Sequence, residues 1–202
     1  MELLNSPIPH LVGNLDQELY EYCVNNWQEN YDEVNEEGRY NILIKDHNII
    51  RSLTKITKTA MHKLLPFIIE EYPNWKPSNT TLKFQYSGNI VSETSYNMRD
   101  WHLDNGDKII VGLWYFKHPE DTNDGGLHIS NGKDEIYYPY ESNKIVFIPN
   151  LTNAWHKVGN RTVWNYDRRF INIVVKQDEF VHDYLRNDYN TDGFREVNNL
   201  MR

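Results

Sequence analysis

The stretch RDWHLDNGDKIIVGLWYF, residues 99–116, places His102 and Asp104 one residue apart, just before a long apolar run. In a strand, residues i and i+2 point to the same face, so this spacing presents an imidazole and a carboxylate to one point in space. The same residues also suit a polar strand end beside a turn at Asn105-Gly106. Two ligands do not make a site. Farther along, NAWHKVG carries His156 in a predicted strand of its own. Two histidines and one carboxylate on one face of a metal ion form the facial triad that holds non-heme Fe(II) and leaves positions open.

The surrounding text fits strands. From residue 78 onward, short segments rich in Val, Ile, Tyr, Phe and Trp alternate with Gly, Asn, Asp and Pro turns, which predicts strands at 81–87, 108–117, 126–130, 135–140, 144–149, 155–159 and 168–176. Upstream the period changes. Leu15, Leu19, Tyr22, Cys23 and Trp27 recur at three- and four-residue steps behind Asn14 as a cap, and Ile49, Leu53, Ile56, Ala60, Leu64 and Ile68 do so between His47 and Tyr72. Both segments read as amphipathic helices. Pro66 is expected to kink or interrupt the second near Leu65, because proline has no amide hydrogen to donate. Helices followed by many closely spaced strands predict a mainly β fold with N-terminal helices packed on a sandwich or jelly roll.

At 202 residues the chain suits one domain: a helical support region over about 1–77, a core over about 78–177 and a C-terminal extension over 178–202. Its 39% hydrophobic and 25% charged residues describe a soluble globular protein, with no window resembling a membrane span or a secretory signal. The single cysteine, Cys23, forms no intrachain disulfide, in keeping with a cytoplasmic location. A formal charge of −8 argues against a broad nucleic-acid surface, which needs clustered lysine and arginine. Oligomeric state is not readable here.

In RRFINIVV, strand alternation puts Arg169 with Ile171, Ile173 and Val175, and Arg168 with Phe170 and Asn172. If the aliphatic face lines the interior, Arg169 is a guanidinium inside an apolar barrel. A buried guanidinium needs an anionic partner and pairs best with a carboxylate. A small dicarboxylate would serve, and so would an Asp or Glu from the helices.

Together, His102-x-Asp104, His156 and Arg169 resemble the Fe(II)- and 2-oxoglutarate-dependent dioxygenases, and their neighbours resemble the prolyl 4-hydroxylase-like branch. The likeness spans roughly residues 80–176. FQYSGN resembles a family strand and turn with a tyrosine before the metal motif, GLWYF the strand after it, DGGLHI the Gly-Gly turn that follows, and NKIVFIPN the strand leading to the second histidine. The resemblance implies a double-stranded β-helix (jelly-roll, cupin-like) core, Fe(II) on His102, Asp104 and His156, and 2-oxoglutarate held by Arg169 with Tyr115 and Tyr86. It also implies O2 as co-reactant, and hydroxylation of a small-molecule or peptidyl substrate. Arg169 lies slightly farther past His156 than the family's usual spacing, which leaves Arg168, and less readily Arg161, as competing anchors. The presence of Asp104 separates the chain from related halogenases, which lack that carboxylate.

Two other readings remain at this stage: a non-catalytic cupin-like ligand-binding module, and an iron dioxygenase that does not use 2-oxoglutarate. His62 and His118 read as structural or surface residues, and His128 faces away from Leu127 and Ile129. Trp101, Trp114, Trp155 and Trp164 flank the proposed centre in sequence and are candidates for the substrate entrance.

Overall fold

A computed structural model describes residues 1–26, 33–34, 40–75, 82–93 and 100–177. Eleven strands and two helices follow in the order β1 (Glu2–Leu4), β2 (His10–Asn14), α1 (Gln17–Asn25), β3 (Glu33–Val34), β4 (Tyr40–Leu43), α2 (His47–Glu71), β5 (Leu82–Val91), β6 (Lys108–Tyr115), β7 (Leu127–Ser130), β8 (Glu135–Tyr138), β9 (Lys144–Pro149), β10 (Trp155–Val158) and β11 (Arg168–Gln177). Trp27, the segment 76–81 and the extension 178–202 lie outside the described residues.

Each helix begins where a side chain satisfies the first free amides. Asp16 accepts from Leu19 N at 3.1 Å, so Asp16 rather than Asn14 caps α1. Asp46 accepts from Asn48 N and Ile49 N at 2.8 and 3.0 Å and starts α2. The buried stripe of α2 is Ile49, Leu53, Thr57, Ala60, Met61, Leu64 and Ile68. Thr57 is tolerated there because its hydroxyl donates to Leu53 O at 2.7 Å. The helix continues through Pro66 rather than stopping near Leu65. Pro66 and His62 both lie on the exposed side, where water can reach the carbonyl that loses its intrahelical donor.

The strands form two antiparallel sheets. The larger runs β1-β2-β9-β6-β11-β5-β4-β3 and the smaller β10-β7-β8. The N-terminal third is therefore not only a helical support: it also supplies β1, β2, β3 and β4 to the larger sheet. β1 and β2 escaped the sequence pattern because they are short and are separated by a turn containing Pro7 and Pro9. β2 nevertheless pairs along β9, with Leu11 opposite Phe147, and both of these residues are fully buried.

Both faces of the larger sheet are covered. Ile110, Trp114, Phe147, Ile171, Ile173 and Val175 share a buried cluster with Leu53, Ala60, Leu64 and Ile68 of α2. At the contact, Gly112 leaves room for Phe147, whose ring would come within 2.5 Å of a β-carbon there. On the opposite face, alternate residues of β5, β6, β9 and β11 meet Leu127, His156 and Val158 of the smaller sheet around a narrow cavity. Among the described residues, no helix is long and apolar enough to cross a membrane.

Candidate metal centre

His102 and Asp104 reach the cavity by backbone routes other than a single strand. His102 forms an isolated antiparallel bridge with His156, each amide donating to the other residue's carbonyl at 3.0 Å. Directly opposed antiparallel residues point to the same face, which accounts for ring centroids 4.3 Å apart. Asp104 lies just beyond, at the start of a turn closed by Lys108 N donating to Asn105 O at 2.9 Å. Asn150, after β9, clamps that turn through Nδ2 to Asn105 O and Lys108 O, both at 2.9 Å.

His102, Asp104 and His156 each offer a ligand atom, and these atoms lie within 4.8 Å of one another. The hydrogen bonds select the nitrogens. His102 Nδ1 meets Asp100 O at 2.8 Å and His156 Nδ1 meets Ala154 O at 3.1 Å. A carbonyl only accepts, so both Nδ1 atoms carry a proton and Nε2 is the nitrogen left to face a metal, the orientation of a backbone-held metal histidine. His156 Nε2 stands 3.5 Å from Asp104 Oδ2.

Asp104 is buried, and burial alone pushes its carboxyl up. The charges of Lys108, His156 and His102 override that effect and hold it well below the usual carboxylate range. The donor set is thus an ionised carboxylate and two imidazole nitrogens, a fit for a borderline divalent cation such as Fe(II).

Arg168 lines the same cavity with Asn89, Phe170 and Asn172. It is 3% exposed, donates from Nε to Gly125 O at 2.8 Å and lies 3.4 Å from Tyr115 Oη. Its guanidinium also faces the rings of Phe170, Tyr115 and Tyr140 at 4.5, 5.1 and 5.6 Å. Among the described residues, no carboxylate pairs with it. Arg161 differs, since its Nη2 contacts Asp121 Oδ2 at 2.7 Å.

Two expected cosubstrate contacts lie elsewhere. Arg169 lines a separate cavity with Tyr20, Glu21, Phe116 and Tyr166. Tyr86 packs toward α2, where its hydroxyl donates to Thr54 Oγ1 at 3.0 Å. Both sit on the helix-covered face. The alternation along each strand is as expected, but the aliphatic face of β11 packs under α2 instead of lining the pocket. Tyr115 is fully buried beside Arg168, and burial pushes its hydroxyl pKa up.

The remaining candidates lie off the cavity. His128 pairs with Glu135 on the outer side of the smaller sheet and meets the edge of Trp101. Trp101 is further covered by Lys157 Nζ, 4.5 Å from its ring centre. Trp114 is buried on the helix side and donates from Nε1 to Asn143 Oδ1 at 3.0 Å. Trp164 stacks under Arg161. His118 stacks on Tyr166. Asn89 and Asn172 were not singled out in the sequence. Only their place opposite or beside Phe170 on the Arg168 face, once that face is known to be the inner one, marks them as cavity residues.

No protein-family model matches the sequence, and no curated protein does. Solved structures share its fold. A prolyl-4-hydroxylase from Pseudomonas putida superposes with a TM-score of 0.58 at 12% identity, covering 84% of this chain and 93% of that one. A prolyl hydroxylase from Trichoplax adhaerens, in complex with a hypoxia inducible factor oxygen degradation domain peptide fragment, gives 0.56 at 11% identity, with 90% and 87% covered. HygX from Streptomyces hygroscopicus, with nickel and 2-oxoglutarate bound, gives 0.53 at 10% identity, with 85% and 84% covered. The chain thus has the jelly-roll fold of the 2-oxoglutarate/Fe(II) oxygenases, prolyl hydroxylases among them.

Proposed function

We propose, from a fold shared with prolyl hydroxylases and other 2-oxoglutarate/Fe(II) oxygenases, that this chain is a 2-oxoglutarate-dependent hydroxylase. One observation carries the reading: a cavity between the sheets holds two Nε2 atoms and a carboxylate at one place, and on its wall a buried arginine that has no carboxylate partner among the described residues. The first group suits Fe(II); the second suits the distal carboxylate of a small keto diacid.

In this reading His102, Asp104 and His156 hold the iron. Arg168, steadied by Gly125 O and flanked by Tyr115, anchors 2-oxoglutarate by its far end and so directs its keto acid end toward the metal. This replaces Arg169 and Tyr86 as anchors. Val111, Leu113, Val146, Ile148 and Phe170 surround the remaining space with apolar surface and limit water there. Bound iron would supply the coupling of O2 reduction to decarboxylation of 2-oxoglutarate, giving succinate and CO2 and oxidising a substrate C–H bond. A peptidyl residue or a small molecule is the substrate class, and the peptide fragment bound by the Trichoplax neighbour supports including peptides. A cytoplasmic location belongs to the same proposal.

Anaerobic addition of Fe(II) and 2-oxoglutarate tests the reading. The expected result is a visible charge-transfer band that His102→Ala abolishes, with succinate released once air is admitted. Absence of both band and succinate from the wild-type protein would reject it.

A further inference from the structure

The turn that follows Asp104 returns Lys108 to the carboxylate. Its ammonium lies 2.5 Å from Asp104 Oδ1, while Oδ2 is the oxygen 3.5 Å from His156 Nε2. The two oxygens therefore have different partners: one is held by a cation, and the other is turned toward the His156 imidazole. The contact is built by the fold. Lys108 is the first residue of β6, its amide closes the turn on Asn105, and Asn150 fixes both ends of that turn. The side chains of Lys108 and Asp104 are only 17% and 9% exposed, so the ion pair is shielded from water.

We infer that Lys108 is a positioning residue that restricts Asp104 to one metal-facing oxygen. The inference rests on the proposed metal centre. A free carboxylate can offer a cation both oxygens. Two imidazoles plus a two-oxygen carboxylate would occupy four positions and crowd a chelating cosubstrate. With Oδ1 engaged by the ammonium, the protein supplies three donors, as an open facial triad requires. The Asn105-Gly106-Asp107 turn thus has a local task in the centre, setting the reach of Lys108.

The test uses Co(II) as the metal probe and 2-oxoglutarate as the ligand, both read by visible absorption without turnover. Lys108→Met keeps the length of the side chain and removes its charge. The expected result is Co(II) binding at least as tight as in the wild type, with 2-oxoglutarate binding to the Co(II) form weakened about tenfold or more, on the scale usual for loss of a group that orients a metal ligand. Lys108→Arg, which retains a cationic donor, should recover most of that loss. Unchanged 2-oxoglutarate binding in Lys108→Met overturns the inference. Loss of Co(II) binding also overturns it, because the ammonium would then be needed to retain the ion itself. If the wild-type protein binds neither Co(II) nor 2-oxoglutarate, the metal-centre reading fails instead.

Discussion

The two faces of β11 carry different kinds of residue into different surroundings. Toward α2 it presents Ile171, Ile173 and Val175, which join the main hydrophobic cluster. Toward the smaller sheet it presents Arg168, Phe170 and Asn172, all on the cavity wall. Both faces are shielded along these residues, and the second sets polar groups on the wall of the cavity. Asn172 Oδ1, for example, is buried with no hydrogen-bond partner among the described residues. A sheet covered on both sides reserves its most apolar face for permanent packing, whereas a binding cavity retains groups whose partners come and go.

Exchanging the arginines would break this comparison most severely. Arg168→Met should cost 2-oxoglutarate about 2–5 kcal/mol of affinity, the range for removing one member of a buried charged pair. Arg169→Met should change it by less than about 0.5 kcal/mol, as a substitution away from the cavity. Isothermal titration of the metal-loaded variants measures both, and a larger effect at Arg169 would return the anchor to the helix side. Among the described residues Arg168 is a buried charge with no carboxylate partner, so Arg168→Met should unfold at no lower temperature than the wild type.

These arginines also mark where the sequence became ambiguous. His102, Asp104 and His156 are legible as a group through the strand and turn motifs around them, since two histidines and an aspartate at such spacing also occur together by chance. The expected route differed in detail: a cross-strand bridge aligns the two imidazoles, and Asp104 comes from a turn. Alternation divided β11 into two sets correctly, but it has no sign. Nothing local to RRFINIVV says which set α2 covers, since that depends on long-range pairing with β5 and β6. Tyr86 suffered the same inversion, being paired with Ile173 and therefore on its face. The candidate strands from 108 onward were recovered to within about two residues because they are dense in β-branched and aromatic side chains. β1 and β2 have too few residues to show a period.

A smaller effect sharpens the helix side. Ile173 is 1% exposed within the α2 cluster. Ile173→Val removes one methyl group there and should lower unfolding stability by about 0.5–1.5 kcal/mol. Because its side chain faces away from the cavity, 2-oxoglutarate affinity should be unchanged. Denaturant unfolding and ligand titration on the same variant separate the two outcomes. A matched loss of affinity would mean that the faces are mechanically coupled.

The smallest expected effect concerns a buried polar group that serves neither face. His10, in β2, is fully buried. Its Nδ1–H donates to Ile8 O at 2.7 Å, and its Nε2 accepts from the Tyr138 hydroxyl at 2.5 Å, joining the larger sheet to β8 of the smaller one. Both ring nitrogens are satisfied from within. Burial lowers the His10 pKa, with the hydrogen bond to Ile8 opposing part of that shift. The unfolded chain, with histidine near about 6.5, therefore binds the proton more readily than the folded one. Stability from the neutral ring is present above that pH and declines as pH falls through it, by no more than about 0.7 kcal/mol between pH 7 and pH 6. Unfolding by denaturant at the two pH values should show this loss in the wild type and a shallower one in His10→Gln, whose replacement side chain does not titrate. Equal losses in both proteins would place the titrating group elsewhere and leave His10 as a packing residue alone.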